Sequence, residues 1–108
     1  MVNIGRNEIE LTYLLLGQNF DKWYSACQTD DQKARVRSCY VTARDAFYAV
    51  VNKSLVSSDP LVQFDIERLG QINGRIRADL GAQDIAAVVS EINDAVSIIT
   101  KLVTLVAV

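Results

Sequence analysis

The stretch from Asp84 to Val106 reads DIAAVVSEINDAVSIITKLVTLV. Ile85, Ile92, Ile99 and Val106 recur every seven residues, Val88, Ala95 and Leu102 follow three places later, and Val89, Val96 and Val103 four places later. A repeat of 3.5 residues is the packing pattern of helical bundles and coiled coils, so this segment is a helix with one continuous apolar seam. It is too long for an ordinary strand, although Leu-Val-Thr-Leu-Val-Ala-Val at its end has strand-like composition.

Working back from that segment, three more helices follow from apolar spacing near 3.6 and from cap chemistry. The first is expected from about Glu8 to Ala26. Asn7 is placed to cap it, Glu10 to close a capping box, and Ile9, Tyr13, Leu16, Phe20, Trp23 and Cys27 to line its inner face. Gly17 weakens its middle by about 1 kcal/mol relative to Ala, which marks a kink or break point.

Thr29-Asp-Asp-Gln32 is a second capping box, with acids in the first turn. It opens a helix that buries Val36, Cys39, Tyr40, Ala43, Phe47 and Val50 and ends near Leu55, where Ser57-Ser-Asp-Pro60 supplies a turn. The third helix, Pro60 to Leu80, buries Val62, Ile66, Leu69, Ile72, Ile76 and Leu80, and Gly81 is its stop. Short connections make an up-down-up-down antiparallel four-helix bundle the simplest closure.

The whole chain of 108 residues is one all-α domain, residues 1 to 108: half of it is hydrophobic, and that length builds one core and not two. There is no His, which removes Ser-His-Asp and Cys-His catalysis, His metal sites and imidazole acid–base chemistry within the chain. Carboxylate-bridged metal sites in bundles need Glu-x-x-His, and Glu91 with Asp94 reads as a solvated face. No enzyme activity, metal or cofactor is expected.

Cys27 stands at the first turn. Cys39 lies about nine residues up the second helix, roughly 13 Å away, too far for a disulfide, so both read as small buried hydrophobes. The N-terminus lacks the order of a secretory signal and carries acids at Glu8 and Glu10, so a cytoplasmic protein is expected. The apolar run from Ala95 is shorter than the ~20 residues that span a bilayer and is broken by Lys101, so no membrane partner is expected.

Eleven Lys plus Arg stand against 13 Asp plus Glu, a net charge of −2. That balance makes nucleic acid a poor default partner. A nucleic-acid or nucleotide contact has one local candidate, the side of the second helix where Lys33, Arg37, Arg44 and Tyr48 fall together. A small ligand inside the bundle has another, around Trp23, Tyr40 and the glycines. Gly70 and Gly74, four apart on the third helix, suit a close approach of a neighbouring helix. Asn73 falls within the buried stripe and suits a hydrogen bond to a neighbour.

One apolar set is left over from the four stripes. Leu11 and Leu15 lie about 200 to 240° around the first helix from Ile9, and Phe64, Ile98 and Leu105 sit on the outer sides of the third and fourth. The bundle topology brings these five to one end. They form the expected protein interface of a non-enzymatic interaction or regulatory module, with a homodimer the first assembly to test and another protein the second.

Overall fold

The computed structural model describes residues 4–50, 60–78 and 84–106, and the side chains of 7–50, 60–78 and 84–104. Within them the chain is all-helical, without strands: α1 Ile4–Ala26, α2 Asp30–Val50, α3 Pro60–Ala78 and α4 Ile85–Val106. The expected ends at Leu55, Leu80 and Gly81 lie outside the described residues. No helix among the described residues is long and apolar enough to cross a membrane.

The expected cap at Thr29 is made, and Asp84 supplies a second. The Thr29 hydroxyl accepts from the Gln32 N–H at 3.1 Å, while the Gln32 side chain accepts from the Gln28 N–H at 2.7 Å. Asp84 Oδ1 accepts from the N–H groups of Ala86 and Ala87, opening α4. Asn7 is not a cap, because α1 begins three residues earlier, at Ile4. Gly17 does not interrupt α1 either. The helix runs through it, and the vacant side-chain position faces Tyr40 of α2.

α1 packs on α2 with residue numbers running in opposite senses: Tyr13 meets Phe47, and Phe20 meets Tyr40. α3 and α4 do the same, with Asp65 against Lys101. The other two contacts run in the same sense. Glu8 and Thr12 of α1 meet Gly70 and Asn73 of α3, and α2 lies along α4 with Arg35 donating to Asn93 at 2.8 Å. Among the described residues α2 and α3 make no contact, whereas α1 and α4 do. The helices therefore neighbour one another in the order α1, α2, α4, α3, and α2 and α3 stand diagonally across from one another.

The core is a single cluster. Ile9, Leu16 and Trp23 of α1, Val36 and Ala43 of α2, and Leu69, Ile72 and Ile76 of α3 surround the seam Ile85, Ile92, Ile99 and Leu102 of α4. Cys27 and Cys39 are buried free thiols, and burial raises the ionisation pKa of both. The Cys27 thiol donates to the Trp23 carbonyl at 3.2 Å.

Among the described residues Thr12, Asp65 and Asn73 are polar and buried with this core. The Asn73 amide donates to the backbone carbonyl and to Oε2 of Glu8, both at 3.0 Å. Its Oδ1 accepts from the Thr12 hydroxyl at 2.8 Å, so α3 is tied to α1 with every buried polar atom of that side chain occupied. Asp65 meets the Lys101 ammonium at 3.0 Å.

Candidate protein-binding face

The leftover apolar set does not assemble as expected. Leu15 and Ile98 are buried in the chain's own core, and Leu11 is half-buried against it. The cause is the number of neighbours. α1 and α4 each contact all three other helices, so the arc they bury is wider than a single stripe. Leu15 lies three residues after Thr12 on the side facing α3, and Ile98 lines the α3–α4 groove with Asp65, Arg68 and Lys101. Phe64 is exposed, with the Arg68 guanidinium 5.9 Å from its ring centre. The Leu105 side chain lies outside the described residues.

A different surface takes shape on the outer side of the α1–α2 hairpin. Tyr13, Phe20 and Tyr24 come from α1, and Tyr40, Phe47 and Tyr48 from α2. They form one continuous seam of rings, each centre 5.4 to 6.3 Å from the next. Such spacings are those of favourable aromatic pairs. Tyr13, Phe20, Tyr40 and Phe47 sit on the flank of the core stripes, which leaves them half-buried. Gly17 borders the seam, and a Cβ added there would lie 3.5 Å from the Tyr40 ring, an ordinary contact distance.

Cations gather at the turn end of the seam. Lys33 Nζ and Arg37 Cζ each lie 5.7 Å from the centre of the Tyr24 ring, and Arg37 donates to the Tyr24 hydroxyl at 2.9 Å. Arg44, nearer the middle, is 3.4 Å from Asp45. At the far end the Tyr48 hydroxyl lies beside that of Tyr13. That neighbour, with desolvation and Tyr40, pushes the Tyr13 pKa up to about 12. Lys33, Arg37, Arg44 and Tyr48 thus form a row along α2, about 22 Å from first to last, and not a cluster.

Helical geometry puts the remaining members of the face in place. At 100° per residue, Glu10, Leu14, Gly17 and Asp21 share the outer side of α1, and Arg37, Val41, Arg44 and Tyr48 the outer side of α2. Leu14, Val41 and Tyr48 are three of the five large hydrophobic residues that stand exposed among the described residues; Tyr48 is 60% exposed. The face therefore has an apolar and aromatic middle, an acidic rim on α1 and a basic rim on α2.

The glycines of α3 behave differently from each other. Gly70 lies against the Glu8 carboxylate, 3.5 Å from the position of a Cβ, whereas nothing approaches Gly74 within 4 Å. Trp23 is buried, about 22 Å along α1 from the Glu8 that meets Gly70, so Trp23, Tyr40 and the glycines do not converge on one pocket. Among the described residues no group of three or more His, Cys, Asp or Glu is placed to hold a metal ion.

Leu14, Val41, Tyr13 and Tyr24 are members that sequence reading did not assign to any site. The available signal was the seven-residue spacing of rings on both helices, 13 with 20 and 40 with 47. No family model, curated protein or solved structure matches this chain.

Proposed function

We propose that the chain is a four-helix bundle of two antiparallel hairpins that acts, without catalysis, as a protein-interaction module. Its binding face is the outer side of α1 and α2. What supports this is the seam of six rings flanked by Leu14, Val41, Arg37 and Arg44. Tyr and Arg around an apolar centre are the residues that carry binding energy in protein interfaces. Nucleic acid is a weaker fit to the same face. Acidic side chains, Glu10 and Asp21 on α1 and Asp30 and Asp45 on α2, lie among the cations of the face, and the chain as a whole is acidic.

The test is a photoreactive phenylalanine analogue placed at Val41 or Tyr48, with Gln71 on the exposed side of α3 as control. A discrete protein adduct is expected from positions 41 and 48 and not from 71, and Leu14→Glu in the same chain should remove it. Equal labelling at all three positions, or no adduct at 41 and 48, refutes the proposal.

A further inference from the structure

We infer that the occupant of this face is a second copy of the same chain. The copies are related by a twofold axis parallel to the helices, so that α1 of each lies over α2 of the other. The inference rests on the protein-binding reading of the face and adds the identity of the partner.

An interface between identical copies uses the same patch twice, so the patch must be complementary to itself. A face of one sign repels its copy. This one is acidic on the outer side of α1, at Glu10 and Asp21, and mainly basic along α2, where Lys33, Arg37 and Arg44 stand against Asp30 at the turn end and Asp45 beside Arg44. Rotation about an axis running along the hairpin brings Asp21 of each copy over the Arg37 to Arg44 stretch of the other. It also lays the two aromatic middles together.

The heights agree. Within the hairpin Phe20 meets Tyr40 and Tyr24 meets Arg37, so Asp21 lies level with the interval between Arg37 and Arg44. In the rotated copy it faces that interval. Leu14, Val41 and Tyr48, exposed in the single chain, become the covered centre.

The size is sufficient for a reversible dimer. α2 has 21 residues. At 1.5 Å per residue and about 10 Å per helix diameter, the hairpin offers roughly 600 Å² per copy. Doubled, that is at the lower limit of about 1,200 Å² for specific interfaces. Association should therefore depend visibly on concentration and weaken with salt.

The decisive experiment is a charge exchange read by sedimentation equilibrium on the purified full chain, with helicity checked by circular dichroism. The wild type should pass from 12.0 kDa toward twice that mass as concentration rises. Asp21→Lys alone and Arg37→Glu alone should each weaken self-association by about tenfold or more, since each places like charges opposite one another twice. Mixing the two variants should restore association, because Lys at 21 of one copy then faces Glu at 37 of the other and the native Arg37 faces the native Asp21.

A wild type that stays monomeric at every concentration overturns the inference. So do single variants that associate as the wild type does, or a mixture no tighter than its components. A monomer whose positions 41 and 48 still give adducts with a different protein overturns the second-copy partner alone. Absence of any adduct refutes both readings.

Discussion

Helix α1 is held on two sides by opposite kinds of contact. Toward α3 it is tied by Thr12, Asn73 and Glu8, a small polar network with Thr12 and Asn73 buried, Glu8 half-buried, and each Asn73 atom matched. Toward α2 it leans on a seam of half-buried rings that touch each other at varied tilts, from 16° to 62°. The first contact tolerates one geometry and fixes the height of α1 against α3. The second is broad and adaptable, and its outer edge remains in solvent. A fold can thus set its register with a few buried hydrogen bonds and leave a sticky, adjustable surface free for recognition.

The largest effect should come from breaking the polar side. Asn73→Ala removes one acceptor of the Thr12 hydroxyl, which keeps the Glu8 carbonyl as its other partner, and opens a small void, and should lower stability by about 1 to 3 kcal/mol in urea unfolding. Thr12→Val keeps the shape and removes one donor from Asn73 Oδ1, with a loss of about 1 to 2 kcal/mol. A loss from either variant no greater than that of a surface substitution would mean that the network does not fix α1 on α3.

The aromatic side should respond in the other direction. Gly17→Ala adds a methyl at ordinary contact distance from Tyr40 and improves helix propensity, so stability should rise by about 0.5 to 1 kcal/mol. A loss there would show that the seam is as exacting as the polar network.

Alkaline titration gives the finest distinction. The folded chain holds the Tyr13 proton more tightly than the unfolded chain does, so this contribution to stability is intact below pH 10.0 and fades as pH rises toward about 12. The thiols of Cys27 and Cys39, raised by burial, act in the same direction from about 9.0. Tyr48→Phe removes the hydroxyl beside Tyr13, and ultraviolet titration should then show Tyr13 ionising at lower pH.

Which parts were legible in the sequence follows from how local the cause is. The seam of α4 and the cap at Thr29 depend on residues within one turn, and both are found where expected among the described residues. Burial of Asn73 against a neighbouring helix was legible as well, since a polar residue in the middle of an apolar stripe needs a partner. The identity of that partner, Glu8 with Thr12, depends on which helix stands next to α3. Periodicity does not carry that information.

The same gap misplaced Leu15 and Ile98, whose burial comes from α3 filling the space beside both α1 and α4. It also hid the burial of Asp65, which depends on α4 bringing Lys101 across from it. For the binding face, Lys33, Arg37, Arg44 and Tyr48 were visible as a side of α2. The rings that back them were not, because half-buried aromatics on the flank of a stripe read as core.

The diagonal placement of α2 and α3 bears on how quickly the chain can reach this state. Hairpin contacts such as Arg37 with Tyr24 join residues 13 apart, whereas Thr12–Asn73 and Arg35–Asn93 join residues 61 and 58 apart. Closing such long loops precedes any reward from the contacts they allow. Although its described residues form helices alone, the protein should refold more slowly than a meander of four helices of the same length, its late step being the meeting of two hairpins already formed.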